Sequence, residues 1–451
     1  MSTQMTSIAD TGAQPGRLCT KEIQKAIDLA AEAGGIAYVP PGEWISGTLR
    51  LHSGVTLHLH PAAVLKASGD IDDFPAMPRR GTAMTDQSHH FIIAEDAEDV
   101  VITGGGTLDG NGFAFWNDPE PGRQWYRAKK PRVHPMLEFR RCRRLRLENV
   151  RIANSPGWTV HPYCCDEVTL RGVIVENYLF GPNTDGFDIN GCRDVFVSDC
   201  KLTCGDDPIV IKATKDARSS ERILVNNCVV QTNCIGVQLG QETESHIRQV
   251  TVSNCVMHGC DRMFGIGIWA GGLVEDVTVT NCVGSTPDGM PLSRPIHIEV
   301  KQHVGWDVPL GKIRNVQISN FVARTKGRLI LVAQDGTALE NVSLRDVQLR
   351  YTGLTDADKL SPPDGATGST QYANQNLEAR RQNAAVVVEN AENFRLEGLH
   401  ITWPEKPELP YAAMWARHVH GGVIDAPLVA PAGGQTEAFV LDDVDVEFRG
   451  R

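Results

Sequence analysis

The segment VFVSDCKL (195–202) decides the fold, because close copies of it recur along the chain. In each copy, apolar and polar residues alternate up to an Asn or Asp, and a second short strand follows. Among the copies are ILVNNCVV (223–230), VTVSNCVM (250–257) and VTVTNCVG (277–284). One strand–turn–strand unit of this length cannot bury its own apolar face, whereas stacked units share a continuous core.

The Asn or Asp of each unit predicts a bend, since these residues tolerate left-handed backbone and satisfy local amides. The marker residues are spaced by 28, 22, 28, 27 and 27 positions, at Asn149, Asn177, Asp199, Asn227, Asn254 and Asn281. A leucine-rich repeat would show its L-x-x-L-x-L signature, and a propeller would need longer blades. The pattern therefore predicts an all-β fold, a right-handed parallel β-helix.

A short amphipathic helix precedes the repeats, and we expect it to cover the open end of the stack. Thr20 is its predicted N-cap, Gly34–Gly35 end it, and its apolar face comprises Ile23, Ala26, Ile27 and Ala30. The predicted organisation is an N-terminal extension (1–19) and a single β-helix domain (20–451). Loop insertions are expected near 293–312 and 352–382, where they would flank a binding face or make oligomer contacts.

The 12 cysteines are predicted to be free and buried rather than paired. Four of them occupy the same point of successive repeats, at Cys200, Cys228, Cys255 and Cys282. Equivalent positions of stacked repeats lie in line, so these residues form a column of small buried side chains. Neither a CxxC pair nor a His cluster with zinc spacing occurs in the sequence. We therefore expect no metal and no organic cofactor.

The charge balance limits the range of partners. The chain has 44 basic and 55 acidic residues, a formal net charge of −11, and no basic cluster that would track phosphates, so nucleic acid is not an expected partner. No run approaches about 18 apolar residues, so no membrane contact is expected. The N-terminus lacks the features of a secretory signal. These features predict a cytoplasmic protein, or a secreted or periplasmic one if a leader has been removed, and leave the oligomeric state open.

The stretch NTDGFDINGCRDVFVSDCKLTCGDDPIVIK (183–212) contains the three candidate catalytic carboxylates, Asp185, Asp206 and Asp207. Asp185 and Asp206 are separated by about one coil, and stacked strands lie about 4.8 Å apart. Asp206 and Asp207 would point to opposite faces of a regular strand, so both reach one site only if the chain bends at Gly205 or Pro208. Close carboxylates repel, so at least one should hold a proton near neutral pH. An acid beside an ionised base is what glycoside hydrolysis requires; a calcium site is the other interpretation.

The motifs NTDGFD (183–188) and GDDPIVIK (205–212) resemble the two central motifs of the polygalacturonases, family 28 of the glycoside hydrolases. The opening helix, GGGTLDGNG (104–112) and NSPGWTVHPYCCDEVTL (154–170) are similar to its bacterial members. The resemblance covers about residues 20–350. It implies that Asp206 is the general acid of an inverting hydrolase and that Asp185 and Asp207 activate the attacking water.

Two further motifs of that family are replaced here. Its His-Gly pair falls on Ile235–Gly236, and its Arg-Ile-Lys triplet, which binds a uronate carboxylate, falls on Gly267, Ile268 and Trp269. Loss of both cations removes charge-assisted contacts that a carboxylate requires, and Trp269 offers a stacking surface instead. We therefore expect a less anionic sugar preference among pectic or related oligosaccharides, and large loops around the site favour exo action on them.

Other candidate substrate-binding residues lie close to these motifs. His161 lies one coil before Asp185, and Lys212 ends the second motif. His297 shares one polar strand face with Glu299 and Lys301, which we interpret as surface rather than cleft wall. The full set predicted to bind substrate is Asn183, His161, Lys212, Gln238, Glu242, Trp269 and His297.

Two other functions stay open on the sequence alone. One is a lyase or a glycosyl-transferring enzyme on the same fold; a lyase would need a basic residue at the site, often with calcium. The other is a non-catalytic carbohydrate-binding or structural β-helix, since a fold does not define a function.

Overall fold

The computed structural model describes residues 5–78, 88–288, 293–302, 308–357, 376–426 and 429–449. They fall into two compact units, residues 1–233 and residues 234–451, here called unit 1 and unit 2. Most of the insertion predicted at 352–382 lies outside the described residues. The prediction of a single domain over 20–451 stays a prediction.

Unit 1 contains three parallel ladders, and successive coils add one strand to each. The first ladder consists of β4 (Leu49–Arg50), β7 (Ile92–Glu95), β12 (Leu137–Arg140), β15 (Val160–Tyr163), β18 (Phe187–Asn190) and β21 (Ile209–Ala213). The second consists of β1 (Met5–Ser7), β2 (Ile36–Val39), β5 (Thr56–Leu59), β8 (Val101–Thr103), β13 (Arg146–Glu148), β16 (Asp166–Arg171), β19 (Arg193–Ser198) and β22 (Ser220–Asn226). The third consists of β3 (Gly42–Ser46), β6 (Ala63–Ala67), β9 (Thr107–Asp109), β14 (Arg151–Ala153), β17 (Ile174–Glu176), β20 (Lys201–Cys204) and β23 (Val229–Thr232).

Unit 1 also contains helix α1 (Thr20–Glu32), two short 3₁₀ turns and the antiparallel pair β10 (Trp116–Asn117) and β11 (Arg127–Ala128). Unit 2 repeats the parallel pairing with longer strands and has one short helix, α2 (Leu377–Arg381). Its strands are β24 (Ile235–Thr243), β25 (His246–Ser253), β26 (Val256–His258), β27 (Arg262–Ile268), β28 (Leu273–Ser285), β29 (Arg294–Val300), β30 (Lys312–Thr325), β31 (Leu329–Ala333), β32 (Leu339–Tyr351), β33 (Ala384–Glu397), β34 (His400–Thr402), β35 (Ala412–Asp425) and β36 (Phe439–Arg449).

The alternation seen in the sequence follows the burial of the side chains. In β19, Val195 and Val197 are fully buried, whereas Phe196 between them is 50% exposed. A coil of three parallel strands with an apolar interior is the repeating element of a right-handed parallel β-helix, which confirms the predicted fold. Strand β29 occupies the first part of the segment 293–312, where an insertion was predicted, and residues 303–307 of that segment lie outside the described residues.

The predicted bend residues are left-handed with one exception. Asn149, Asp199 and Asn227 have φ of 51°, 58° and 54°. Asn177 was expected in this series, and that expectation is wrong, because Gly172 (φ 62°) takes the bend position of its coil. The Asn149 amide bonds to the carbonyl of Arg171, the residue before Gly172, at 3.0 Å. Glycine adopts this backbone more readily than Asn, so a search for Asn and Asp alone misaligns this coil.

Helix α1 buries the predicted face, but its start differs from the prediction. Ile23, Ala26, Ile27 and Ala30 are fully buried, and the helix packs on β1 to β5. Thr20 is the first helical residue rather than the N-cap, and its hydroxyl accepts a hydrogen bond from the Gly47 amide at 2.8 Å. No helix among the described residues is long and apolar enough to cross a membrane.

All 12 cysteines are free, as predicted, and most are buried. In unit 1 the Cys142 amide donates to the Cys165 sulfur at 3.3 Å, and the Cys165 amide donates to the Cys192 sulfur at 3.4 Å. These thiols therefore stack in line from coil to coil, where they fill space as small apolar side chains.

An asparagine ladder in unit 2 makes the cost of a bend testable. Asn281 (φ 55°) donates to Asn254 at 3.2 Å and accepts from Asn320 at 3.1 Å. Asn281→Ala should lower the free energy of unfolding by about 1–3 kcal/mol, since it loses both hydrogen bonds and forces alanine into left-handed backbone. Asn281→Gly, the matched control, should cost less, as measured by urea unfolding. A glycine variant no more stable than the alanine variant would contradict the backbone part of this account.

Candidate active site

Two turns of unit 1 bring the three predicted carboxylates together. Because Phe187 in β18 pairs with Ile209 in β21, the turns that precede these strands lie side by side. The Gly186 amide donates to the carbonyl of Asp207 at 3.0 Å. The chain bends at Gly205 and Asp206, and a carboxylate oxygen of Asp206 lies within 4.8 Å of one of Asp207. The bend thus overcomes the alternation that would separate two adjacent side chains.

Glycine is required in both turns because the chains approach so closely. A Cβ on Gly186 would lie 2.2 Å from the Pro208 carbonyl oxygen. A Cβ on Gly205 would lie 2.6 Å from the Thr184 hydroxyl and 2.9 Å from the Tyr178 carbonyl oxygen. Real contacts are never this short, so a side chain at either position would push the two turns apart.

Polar side chains fix the main chain of these turns and leave the carboxylates available. The Thr159 hydroxyl donates to the Asp185 carbonyl at 2.6 Å and accepts from the Asn177 amide group at 2.8 Å. Thr184 accepts from the Gly205 amide at 3.0 Å. These hydrogen bonds are all buried, where they are strongest and costliest to lose.

The three acids differ in their access to solvent. Asp185 is 4% exposed and Asp207 is 7% exposed, whereas Asp206 is half-buried and the most exposed of the three. One carboxylate oxygen of Asp206 accepts from the Asp207 amide at 3.1 Å. One oxygen of Asp185 is buried without a hydrogen-bond partner. Asp206 is therefore the acid best placed to reach a bound molecule.

Burial raises the pKa of Asp185 well above its usual range, and the nearby Asp206, Asp188 and Asp207 raise it further. Lys212 opposes this shift. Its ammonium lies 5.0 Å from the centre of the Trp158 ring, and the residue is 7% exposed. Lys212 thus acts on a nearby carboxylate, and its predicted contact with substrate stays a prediction.

His161 belongs to a buried ionic group in the coils before the acids. It is 1% exposed, and its Nδ1 donates to Glu138 at 2.7 Å; Glu138 also accepts from Arg140 at 2.6 Å. Burial alone would raise the pKa of Glu138, but His161, with smaller effects from His90 and Arg140, lowers it to about 2. The Nε2 atom of His161 has no hydrogen-bond partner. Substrate binding by His161 stays a prediction.

Asn183 has left-handed backbone at φ 52°, and its side-chain oxygen accepts from Arg132 at 3.1 Å. Arg132 also donates to the carbonyls of Pro156 and Pro182, at 2.9 Å and 2.7 Å. The side chain of Asn183 therefore fastens the turn that leads to Asp185. Its predicted contact with substrate is untested.

Sequence reasoning missed several residues that position this site. Glu138 and Asp188 are polar residues within apolar strands, a signal that was available. Asn177 was taken for a bend marker instead of a side-chain donor. Thr159 and Thr184 lie within the quoted motifs, but their roles were missed because they bond to backbone atoms of other coils. Arg132 lies in no distinctive pattern.

The four candidates of unit 2 are largely buried. Gln238, Glu242 and His297 are 1%, 4% and 8% exposed, and Trp269 is half-buried. The surface interpretation of the His297 face is wrong, because Glu299 and Lys301 are also buried, at 2% and 5% exposure.

Charge pairing explains why that polar face is buried. The Lys301 ammonium lies 2.6 Å from Glu299 and 4.9 Å from the centre of the Trp269 ring. Burial lowers the pKa of His297 well below its usual range, and neighbouring Arg294 lowers it further, so His297 is neutral. The nitrogen of Lys301 therefore lies close to the Trp269 ring, and burial lowers the pKa of Lys301 well below its usual range.

Comparison with known proteins agrees with this fold and with the family resemblance found in the sequence. The family model for glycosyl hydrolases family 28 matches residues 45–367. The chain therefore belongs to glycosyl hydrolases family 28.

A probable polygalacturonase from Vitis vinifera is 29% identical over 281 residues, which are 58% of this chain and 56% of that protein. An endo-polygalacturonase from Pectobacterium carotovorum subsp. carotovorum is 24% identical over 349 residues, 73% of this chain and 84% of that one. The chain spans about half the length of the first curated relatives that it matches. The crystal structure of an exopolygalacturonase from Thermotoga maritima has a TM-score of 0.63 at 23% identity, over 77% of this chain and 87% of that one. This likeness concerns the fold.

The raised pKa of Asp185 makes a signed prediction about stability. Its stabilising contribution is complete below the unfolded pKa, about 4, and is lost as pH rises towards the raised folded pKa. Asp185→Asn should therefore raise the free energy of unfolding at neutral pH, by roughly 1–3 kcal/mol, and should have little effect near pH 4. Urea unfolding at both pH values measures this.

Asp199→Asn is the matched control, since Asp199 is exposed on a bend that asparagine also fits. It should change stability at neither pH. An Asp185→Asn protein that is less stable than the wild type at neutral pH would contradict the assignment of a strained buried carboxyl.

Proposed function

We propose that this protein is an inverting glycoside hydrolase that acts on pectic glycans. The observation that carries the proposal is that Asp206 and Asp207 lie together at one turn, and that Asp185, on the adjoining turn, interacts with both. Buried hydrogen bonds hold the two turns. Membership of the family supports the reaction class. The relatives' names support a pectic substrate, since those proteins are described as polygalacturonases.

The geometry supports a division of roles among the three acids. The high pKa of Asp185 keeps a proton in the cluster, and because the carboxyls interact, that proton belongs to the group rather than to one residue. Asp206, the most exposed, donates it to the leaving oxygen as the glycosidic bond breaks. With the shared proton on Asp206, Asp185 and Asp207 are ionised and together accept a proton from the water whose oxygen attacks the anomeric carbon. Attack from the opposite side inverts the configuration there.

The sugar preference is proposed to be less anionic than plain galacturonate. Gly267 and Trp269 occupy the positions where the family's triplet supplies cations, and Lys301 is already paired with Glu299. A carboxylate substrate would lose the charge-assisted contacts that the family's triplet supplies from these two positions. We extend the proposal to exo action, on the view that long loops near 293–312 and 352–382 would close one end of a cleft.

The location follows from the proposed substrate. A pectic polymer does not cross a membrane, so we place the protein outside the cytoplasm, as the second of the two locations predicted from sequence. The cytoplasmic alternative has no support from the relatives.

Asp206→Asn should lower kcat by about 10²- to 10⁴-fold while the protein stays folded, because it removes the proton donor. Asp199→Asn should retain full activity. Reducing-sugar release measures the rate, and proton NMR of the first product should show the inverted anomer. Full activity in Asp206→Asn would overturn the acid assignment, and a retained anomer would overturn the inverting mechanism.

A substrate panel tests the sugar preference. Neutral or decorated pectic oligosaccharides should be cleaved with a higher kcat/KM than plain polygalacturonate, and Trp269→Ala should reduce that preference. Efficient cleavage of plain polygalacturonate by the wild type would contradict it. An unsaturated, ultraviolet-absorbing product would favour the lyase alternative. Glycan binding without any cleavage would favour the non-catalytic one.

A further inference from the structure

A group of aromatic rings lies at the surface of unit 1, and the proposed chemistry does not use it. We call it the aromatic shelf; its members are Phe113, Trp125, Tyr126, Tyr178 and Phe180. Phe113 is 49% exposed and Tyr178 is 40% exposed, and the other three are half-buried. Large aromatic residues normally bury most of their area, so a contiguous exposed group of them indicates a binding surface.

The rings contact one another rather than lying separately. The ring centre of Phe113 lies 5.5 Å from that of Tyr126 and 5.6 Å from that of Tyr178. Tyr178 lies 5.7 Å from Tyr126 and 5.9 Å from Phe180, and Phe180 lies 5.7 Å from Trp125. Two chain segments, residues 113–126 and 178–180, thus form one surface.

Hydrogen bonds fix the two segments to each other and to the body of the unit. The Tyr126 amide donates to the Phe180 carbonyl at 2.9 Å. Trp116, beneath Phe113 at a ring distance of 4.9 Å, is 4% exposed and donates to the Pro156 carbonyl at 2.8 Å. The Lys129 ammonium donates to the Ala114 carbonyl at 2.8 Å. A surface fixed in this way loses little conformational freedom when it binds.

The shelf adjoins the carboxylate turns directly. A Cβ on Gly205, the residue before Asp206, would lie 2.9 Å from the carbonyl oxygen of Tyr178. A Cβ on Gly181 would lie 2.8 Å from the Trp116 ring. The Asn233 side chain also donates to the Leu179 carbonyl at 2.8 Å. The segment that carries Tyr178 and Phe180 therefore packs on the bend that presents Asp206.

We propose that the aromatic shelf binds sugar units of the substrate glycan that lie beyond the cleaved bond. The apolar C–H faces of sugar rings pack on aromatic rings, and tyrosine hydroxyls such as those of Tyr126 and Tyr178 can form hydrogen bonds with sugar hydroxyls. This inference rests on the proposed function for the identity of the ligand as a glycan. The shelf binds the same glycan molecule whose scissile bond lies at Asp206. The contact between the segment of Tyr178 and the bend at Gly205 supports this.

The test is binding of size-fractionated pectin fragments, long and short, to the Asp206→Asn protein by calorimetry. Phe113→Ala and Tyr178→Ala should each weaken the affinity for long fragments by about 2- to 10-fold, which is the range expected for one aromatic contact. The affinity for short fragments should stay the same. Phe196→Ala is the matched control, since Phe196 is 50% exposed on β19, away from the shelf. It should change neither affinity. Thermal melting confirms that each variant is folded.

Three outcomes overturn the shelf proposal: an unchanged affinity for long fragments, an equal loss for long and short fragments, or a change in oligomeric state with no change in affinity. Failure of the unsubstituted shelf to bind long fragments more tightly than short ones also overturns it. The hydrolysis assay of the wild type is separate. If the wild type cleaves pectin but Tyr178→Ala binds long fragments as tightly as its parent, the shelf proposal alone is refuted. If the protein binds long fragments through the shelf but cleaves none, the proposed function alone is refuted.

Discussion

The close approach of two turns in unit 1 is the constraint on which the rest of the site depends. Gly186 and Gly205 let the backbone of one coil lie against the backbone of the next, at distances that no side chain would permit. This approach aligns Asp185 with Asp206 and Asp207, and it seats the aromatic shelf against the same bend. The regular stack on either side makes the approach possible, because the strands before and after the turns hold them at the spacing of a parallel sheet.

Crowding three acids at one point is unfavourable, and interactions in the surrounding structure offset this unfavourable free energy. Asp185 gains no hydrogen bond for one of its buried oxygens, and its neighbours raise its pKa. The stabilisation comes from elsewhere, in the continuous apolar core of the coils and in the buried main-chain hydrogen bonds of Thr159 and Thr184. Strain at a functional site, supported by a rigid framework, is the usual arrangement for acid–base chemistry.

Much of the fold was predictable from sequence, because the coils of a β-helix appear in the sequence as a repeated pattern of apolar and polar residues. The alternation around Val195 and Val197, the free cysteines and the bend at Gly205 all follow from local patterns. Local pattern also misled because glycine and asparagine both suit a left-handed bend: Gly172 takes the bend that was assigned to Asn177. The burial of His297, Glu299 and Lys301 was missed because alternation marks a shared face without saying what covers it. The hydrogen bond between His161 and Glu138 joins residues of separate coils, and a single sequence does not show such pairings.

The protonation state of Asp185 is the most direct test of this account. Carbon-13 NMR of the aspartate carboxyl groups, with the Asp185 resonance assigned by its absence in Asp185→Asn, reports that state across a pH titration. The structure predicts that Asp185 titrates well above the usual aspartate value of about 4 and is still protonated when the exposed aspartates have ionised. Asp206→Asn should lower the pKa of Asp185, because the charge of Asp206 raises it. An Asp185 resonance that titrates near 4, and that is indifferent to Asp206, would show that the three carboxyls do not share a proton and would contradict the account.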